Sequence, residues 1–242
     1  MHPSSESSIQ EPVSPYEDLL FKKLNDPLFL PTRSQLDRAF GPQGFQPITL
    51  SNFYLNQDNT VHSHEVLHKE MIDALSAYIR SRAQRLLKDN PTYKTCHVIE
   101  VAAGTGRLSH FLQRNIPEDE AIFHPTDSGT WNIPHEMPVE KIDAYTAMKK
   151  YNPQMALCSW MPYQLELSCT FRQTPSVQEF VLLGNENCCG VHSDTWYGDE
   201  TFERIELPSI TQHQIGAMDQ RENERDNYSM GGVSSAASFR RL

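Results

Sequence analysis

A short apolar run that leads into closely spaced glycines is the part of this sequence best suited to binding a ligand. Residues 98–101 are predicted to form a buried strand, which carries the acidic residue Glu100 and runs into an Ala-Ala-Gly-Thr-Gly turn. Apolar residues within 108–112 then fall on one face of a predicted helix. Gly104 and Gly106 have no Cβ and can adopt positive φ, so the backbone here can approach a ligand closely. The first N–H groups of the helix would favour an anionic group of that ligand.

The spacing of these glycines distinguishes two classes of nucleotide ligand. A nicotinamide dinucleotide site has the pattern G-x-G-x-x-G, and the run from Gly104 lacks the third glycine, because Ser109 stands there. The pattern [D/E]-x-[G/A]-x-G-x-G fits better, through Glu100, Ala102, Gly104 and Gly106. It resembles motif I of the class I S-adenosylmethionine (SAM) methyltransferases, in which the acid contacts the methionine end of SAM and the glycines make room for the ligand. The resemblance implies that SAM contacts six residues here: Glu100, Ala102, Ala103, Gly104, Thr105 and Gly106.

Polar residues after later predicted strands would complete the cofactor site. Asp127 follows the predicted second strand at about 20 residues from the glycines, the spacing at which a carboxylate meets the ribose hydroxyls. Asp143 is predicted to cap the next helix, and the family often places an acid or amide near the adenine amine at this position. Ser159 is the last residue of the predicted fourth strand, and Trp160 follows it directly. This strand is expected beside the first, and in such sheets ligands bind at the carboxyl ends of the strands.

Catalytic residues are not identified by the resemblance. The methyl group of SAM is already activated as a sulfonium, so the protein mainly has to orient the reactants and exclude water. A general base is needed only if the nucleophile arrives protonated. The weak candidates for such a base are His192 and Asp194, in a predicted polar loop over 185–198, and Tyr54, in the N-terminal segment.

Residues 159–162, Ser-Trp-Met-Pro, loosely resemble the family's fourth motif, which reads Asn/Asp-Pro-Pro-aromatic in amino-methylating enzymes. The Asn or Asp that would accept a hydrogen bond from the amine is missing, so methylation of adenine N6 is not predicted. The Ser-Trp-Met-Pro form resembles that of a group of uncharacterised eukaryotic methyltransferase-like proteins. This likeness implies a fold and no substrate.

Two aromatic residues and one pair of possible metal ligands have alternative interpretations. Trp131, in a predicted loop, either lines the binding site of the adenine or substrate or anchors the core. Trp196 either stacks on a substrate or is a buried loop residue. Cys189 and His192 have ligand-like spacing, but no second Cys or His pair lies nearby in the sequence, so a structural zinc is not predicted.

Three segments are predicted along the chain. Residues 1–14, rich in Ser, Glu and Pro, are predicted to be a disordered tail. Residues 15–62 are predicted to form a helical cap, and 63–242 the SAM-dependent methyltransferase domain, beginning with a long helix over 63–89. By the resemblance the cap closes over SAM, so that Tyr54, His62 and His64 could contact the ligand. Packing of the cap onto the core explains Tyr54 equally well.

The predicted fold is α/β, a three-layer sandwich around a mostly parallel seven-stranded Rossmann-like sheet with the N-terminal helical cap. The resemblance implies an antiparallel C-terminal hairpin for the sixth and seventh strands. Residues 205–207, 214–218 and 234–240 are the candidates for extended structure there, and the charged segment 219–232 between them is predicted to be flexible.

The composition excludes several classes of protein. The chain has 31 acidic and 21 basic residues, a net charge of −10, and nonspecific nucleic-acid binding depends on clustered Lys and Arg, so a nucleic-acid partner is not indicated. No apolar run reaches the roughly 18 residues of a membrane helix, and the first residues lack the regions of a secretory signal. Five cysteines are most simply explained as reduced thiols. The expected location is intracellular, cytoplasmic or nuclear.

The function predicted from the sequence is that of a SAM-dependent methyltransferase. Its substrate is unknown, with a protein or small molecule favoured over long nucleic acid, and a protein partner is possible. One alternative is a catalytically inactive methyltransferase-like protein that acts as a binding or regulatory subunit. A nicotinamide-dependent oxidoreductase is disfavoured by the incomplete glycine pattern and by Glu100.

Overall fold

The computed structural model of this 242-residue chain describes residues 15–40, 50–56, 61–131, 133, 137–217 and 234–242. The predicted disordered tail 1–14 and the predicted flexible segment 219–232 lie outside the described residues.

A seven-stranded sheet forms the centre of the molecule, in the order β3-β2-β1-β4-β5-β7-β6. The pairs from β3 to β5 are parallel, whereas β7 lies between β5 and β6 and is antiparallel to both. The predicted mostly parallel sheet and antiparallel C-terminal hairpin are therefore confirmed. The strands are β1 (Cys96–Val101), β2 (Ala121–Asp127), β3 (Glu140–Lys141), β4 (Met155–Ser159), β5 (Glu179–Gly184), β6 (Phe202–Glu206) and β7 (Ser235–Arg241).

Nine helices lie in the described residues, four of them before the first strand. They are α1 (Pro15–Leu24), α2 (Arg33–Phe40), α3 (Leu50–Tyr54), α4 (Lys69–Asp89), α5 (Arg107–Asn115), α6 (Ala144–Tyr151), α7 (Ser168–Gln173), α8 (His192–Thr195) and α9 (Pro208–Thr211). None of these helices in the described part of the chain is long and apolar enough to cross a membrane.

Alternate residues of the strands face two separate apolar layers, which confirms the three-layer sandwich. In β1, Val98 packs with α4 and α5 on one face, and Ile99 packs with α6 and α7 on the other. Each layer buries its side chains almost fully, so the sheet is covered on both sides, as a parallel sheet requires.

The N-terminal helical cap has an apolar core of its own. Its buried residues come from α1, α2 and α3 and from two later segments: Leu20, Leu24, Leu36, Ala39, Phe40, Phe53, Tyr54, Val61, Val66 and Ala217. Phe53 and Tyr54 lie in α3, a short helix for which the sequence shows no distinct pattern. Because Val66 and Ala217 belong to the same core, the cap packs onto residues beyond 62.

Two further predictions of secondary structure need correction. Helix α4 begins at Lys69 and not at residue 63, because residues 64–66 instead make backbone hydrogen bonds to 215–217. Residues 214–217 were a strand candidate, but they contribute only an isolated bridge between Gly216 and Glu65.

The basic side of α4 is occupied by ion pairs. Arg80 donates to Glu120, and Arg82 donates to Glu179, which is fully buried. These pairings support the interpretation of this side as an ordinary helix surface over that of a nucleic-acid-binding face.

Candidate functional site

The ends of β1 and β4 form the point of the sheet best placed to hold a ligand. From β1 the chain goes to β2 and β3 on one side of the sheet, and from β4 to β5 on the other. In such sheets the ligand cleft lies at the carboxyl ends of the strands where the order reverses. Continuing the β1–β4 pairing, in which Glu100 lies opposite Leu157, by two residues places Ala102 beside Ser159.

Both strands end in a residue with left-handed backbone conformation. Ala102, directly after β1, has φ 56°, and Trp160, directly after β4, has φ 54°. For a residue with a Cβ this conformation costs about 1–2 kcal/mol, and such residues concentrate at functional sites. The strain is thus located at both walls of the predicted cleft.

The two glycines of the turn have different roles. Gly104 has φ 54° and Gly106 has φ 76°. A Cβ on Gly106 would lie 2.4 Å from Val139 Cγ2, so this glycine is required by packing. Among the described residues, the atom nearest to a Cβ on Gly104 would be Ile133 Cδ1 at 3.8 Å, an ordinary van der Waals contact. At Gly104 it is therefore the positive φ, and not a clash with a described residue, that favours glycine.

Glu100 is buried beneath this turn and connects β1 to α5. Its carboxylate accepts hydrogen bonds from the backbone N–H of Ser109 at 3.1 Å and from the Ser109 hydroxyl. Burial raises the pKa of Glu100 to about 7 in spite of these bonds. The side chain of Ser109 is thereby fixed at the position where the nicotinamide pattern has its third glycine.

Asp127 is the last residue of β2, and its carboxylate reaches the glycine turn. One oxygen accepts a hydrogen bond from Gly104 N at 3.1 Å and the other from Gly129 N at 2.7 Å. Each carboxylate oxygen can accept more than one hydrogen bond, so both oxygens can still accept from a ligand's hydroxyls. The predicted ribose-binding acid and the predicted glycine turn are thus adjacent in the structure.

Arg107, the first residue of α5, is a buried cation at the same turn, with only 2% of its surface exposed. Its Nε donates to Pro27 O and its Nη2 to Phe29 O, both at 3.0 Å, and these bonds connect the turn to the cap. Its Nη1 is buried and has no hydrogen-bond partner. A cation at a helix N-terminus is disfavoured by the helix dipole, and that mismatch is the one sequence signal that could have identified Arg107.

A histidine and a glutamate from the segment before α4 surround Trp160. The ring of His64 stacks on the indole, with centroids 5.5 Å apart and planes inclined by 27°. The indole Nε1 donates to Glu65 Oε2 at 2.9 Å. Backbone bonds from Val66 N to Ile215 O and from Ala217 N to His64 O hold this segment over the strand ends. We refer to residues 61–68 as the strap.

The strap places two histidines next to one another. The rings of His62 and His64 lie 6.0 Å apart, and His62 Nδ1 is buried without a hydrogen-bond partner. Burial lowers the pKa of His64 below its ordinary value of 6.5, and the nearby His62 lowers it further. His64 is therefore neutral at pH 7. The sequence suggested ligand contact for both histidines only through the resemblance.

Asp143 caps α6, as predicted, and is close to the end of β2. Its carboxylate accepts from Thr146 N at 3.0 Å, and the preceding residue, Ile142, donates its N–H to Asp127 O. Asp143 is exposed, so its side chain can also meet a ligand. The structure thus brings the predicted cofactor residues from β1, β2, β3 and β4 to one edge of the sheet.

The predicted candidates for a general base are less well placed. Tyr54 is almost fully buried in the cap, and burial raises the pKa of its phenol far above its ordinary value, although Arg107 opposes the shift. This geometry supports the packing interpretation. Asp194 is exposed on the short helix α8, and His192 is the first residue of that helix.

The burial of Trp131 and Trp196 decides between the alternative interpretations of these two residues. Trp196 is 1% exposed and donates Nε1–H to Cys189 O at 2.9 Å, so it is a core residue and cannot stack on a substrate. Trp131 is 70% exposed, which excludes core anchoring. All five cysteines are free thiols, and no group of three or more potential metal-ligating side chains occurs among the described residues.

Comparison with known proteins gives a likeness of fold alone. No family model matches the sequence, and no curated protein matches it. A solved structure of the CurJ carbon methyltransferase has a TM-score of 0.42 and 10% identity, covering 93% of this chain and 67% of that chain. Magnesium protoporphyrin IX methyltransferase (ChlM) from Synechocystis PCC 6803 with bound SAM has a TM-score of 0.39 and 12% identity, covering 96% and 100%. The plantazolicin methyltransferase BpumL, in complex with S-adenosylhomocysteine (SAH), has a TM-score of 0.39 and 9% identity, covering 93% and 97%.

At these identities and TM-scores no residue role is transferred from those proteins to this chain. The fold assignment rests on the strand order and the antiparallel position of β7.

Proposed function

We propose that this chain is a SAM-dependent methyltransferase and that SAM binds in the cleft at the carboxyl ends of β1, β2 and β4. The observation that carries the proposal is the hydrogen bond between Gly104 N and Asp127, which joins the glycine turn to an acid at the end of β2. Both groups lie where the strand order reverses, the position of nucleotide clefts in such sheets.

The residues at this edge fit the functional groups of SAM. Asp127 can accept hydrogen bonds from the two ribose hydroxyls. The free N–H groups at the start of α5 and the unpaired Arg107 Nη1 suit the carboxylate of the methionine end. Asp143 suits the adenine amine, and the absence of a Cβ at Gly104 suits close approach of a ligand to the backbone.

SAM supplies a methyl group on a positively charged sulfur, which makes that group reactive without further activation. The chain then has to hold the reactants in line and keep water out. The strap lies over the end of β4 through the His64–Trp160 contact, and the cap is joined to α5 through Arg107. These two contacts cover the strand ends from the N-terminal side of the chain. The substrate that we favour, from the net charge of −10, is a protein or a small molecule.

Titration calorimetry with SAM and SAH tests this proposal. We expect micromolar binding of both to the wild-type chain and loss of binding in Gly104→Arg, whose long side chain would obstruct approach of a ligand to the turn. Gln173→Arg, an exposed change that adds the same charge on α7, serves as the matched control and should bind normally. Absence of binding to the folded wild-type chain would exclude the proposed cofactor.

Turnover separates the enzyme from the alternative of a catalytically inactive subunit. Wild-type protein and Gly104→Arg are incubated with SAM labelled in the methyl group and with fractionated cell extract. An active enzyme transfers label to an acceptor only in the wild-type sample. Binding of SAM without any transfer across all fractions would support the inactive methyltransferase-like protein.

A further inference from the structure

His64 stacks on Trp160 at the wall of the proposed cleft. Trp160 follows β4 directly, beside the end of β1. The strap that carries His64 makes backbone hydrogen bonds to residues 215–217. His64 is thus held in place by the sheet edge on one side and by a second segment on the other.

The imidazole of His64 is free to react. Within the described part of the chain, neither of its ring nitrogens makes a hydrogen bond, and the side chain is only partly exposed. The titratable groups around it are His62 and Glu65, both on the strap. The Glu65 carboxylate accepts hydrogen bonds from Trp160 Nε1, from Ile215 N at 3.2 Å and from Gln214 Nε2 at 3.4 Å. Trp160 and the 214–217 segment bring no titratable side chain.

Trp160 and Glu65 act as positioning residues for this imidazole. The indole is fixed by its hydrogen bond to Glu65 and by its strained backbone, φ 54°, with Trp160 N donating to Leu183 O at 2.7 Å. A ring stacked on an immobile indole loses little freedom when a substrate arrives. The neighbouring His62 also has a ring nitrogen without a hydrogen-bond partner, but that nitrogen is buried, whereas His64 is stacked on the indole.

We infer that His64 is the proton acceptor of the methyl transfer, and that the acceptor substrate carries the methyl on a nitrogen or oxygen that loses a proton. This inference rests on the proposed function. A lone pair of the acceptor atom forms the bond to the methyl carbon, and the methyl–sulfur bond breaks with its electron pair moving to sulfur. The proton of the acceptor N–H or O–H passes to a His64 ring nitrogen. Thioethers and tertiary amines, which have no such proton, are not substrates.

The charge of SAM provides a test that needs no substrate. NMR of the histidine rings measures the pKa of His64 in the free chain, with SAH and with SAM, and the His64→Gln spectrum assigns the signal. SAM and SAH differ by one methyl group and one positive charge. If His64 faces the transferable methyl, SAM lowers its pKa relative to SAH by about one pH unit or more, because the sulfonium opposes an imidazolium close by. The ring signals of His97, near the amino end of β1, are the internal control and should not differ between the two ligands.

The outcomes separate the inference from the proposed function. Equal His64 pKa values with bound SAM and bound SAH would overturn the inference and leave the cofactor site intact. Failure of both ligands to bind would remove the proposed function itself.

A second arm tests the proton transfer. We expect His64→Gln to keep SAH affinity within about twofold and to lower kcat for label transfer roughly 100-fold or more. The product should be neutral at the methylated atom. A kcat within a few-fold of wild type, or a product with a new fixed positive charge, would contradict the role.

Discussion

The raised pKa of Glu100 makes the stability of the protein depend on pH. Burial raises this pKa from 4.5 to about 7, so the folded chain binds a proton more tightly than the unfolded chain does. The stabilisation is fully present below pH 4.5 and is lost as the pH rises through 7. The raised pKa corresponds to about 3 kcal/mol over this window.

Glu100→Gln, which resembles the protonated acid and can still accept from Ser109, removes this dependence. We expect the variant to match the wild type near pH 4.5 and to be more stable by about 3 kcal/mol at pH 8. Denaturant unfolding across the pH range measures the difference. Parallel stability curves for the two proteins would show that the pKa of Glu100 does not change on folding.

Arg107 is predicted to bind the carboxylate of the cofactor. Arg107→Gln removes the charge at Nη1, so SAH affinity should fall about tenfold or more, whereas affinity for 5′-methylthioadenosine, which lacks the amino-acid part, should change little. Calorimetry with both ligands measures the two effects. An equal loss for both would mean that Arg107 only supports the cap through Pro27 and Phe29.

At the scale of residues, the sequence predicts what is local and misses what is long-range. Glu100, Gly104 and Gly106 were found because motif spacing is visible along the chain. The spacing of βαβ units pointed to Asp127 as an acid after the second strand, but its hydrogen bond from Gly104 N was not predicted. The pairing of His64 with Trp160 joins positions almost a hundred residues apart, and no local pattern shows such a contact.

The glycine turn between β1 and α5 illustrates backbone and packing constraints at the scale of elements. Both glycines have positive φ, so Ala at either position costs about 1–2 kcal/mol. Only at Gly106 does the added Cβ also clash, with Val139 Cγ2 at 2.4 Å. We expect Gly104→Ala to cost about 1–2 kcal/mol and Gly106→Ala clearly more, with urea unfolding as the measurement. Equal costs would contradict the packing role of Gly106.

Elements with a strong apolar period were predicted from the sequence, and elements set by tertiary contacts were not. Strands β1, β4 and β5 and most of α4 were identified by their patterns. The start of α4 was misplaced because Val66 donates to Ile215 O, so backbone pairing with a distant segment replaces the first helical turns. Helix α3 was missed because Phe53 and Tyr54 become helical within the aromatic core of the cap.

One buried carboxylate, that of Glu179, joins α4, β5 and β7. It accepts from Arg82 Nε at 2.5 Å, from Ser238 Oγ at 2.6 Å and from the Tyr78 hydroxyl, and Arg240 Nε lies 3.6 Å away. Glu179→Gln leaves two arginines without their counter-charge and should cost about 3 kcal/mol.

Glu203→Gln, an exposed change on the adjacent strand β6, is the control for this prediction and should stay within about 0.5 kcal/mol of wild type. Thermal and denaturant unfolding compare the two variants. A cost below 1 kcal/mol for Glu179→Gln would show that the arginines find other partners.

At the scale of the whole molecule, the resemblance predicted more than the residues alone did. The antiparallel position of β7 between β5 and β6 is a long-range feature, and it was predicted only because motif I pointed to a known fold. The strap depends on contacts between residues 64–66 and 215–217, so its position over the end of β4 is a property of the complete fold.

The crystal structure of the chain grown with SAH tests the central claim most directly. The account predicts ligand density at the carboxyl ends of β1 and β4, with the ribose hydroxyls on Asp127 and the amino-acid end at the start of α5 beside Arg107. Ligand density elsewhere on the molecule, or an empty cleft at saturating SAH, would contradict the account.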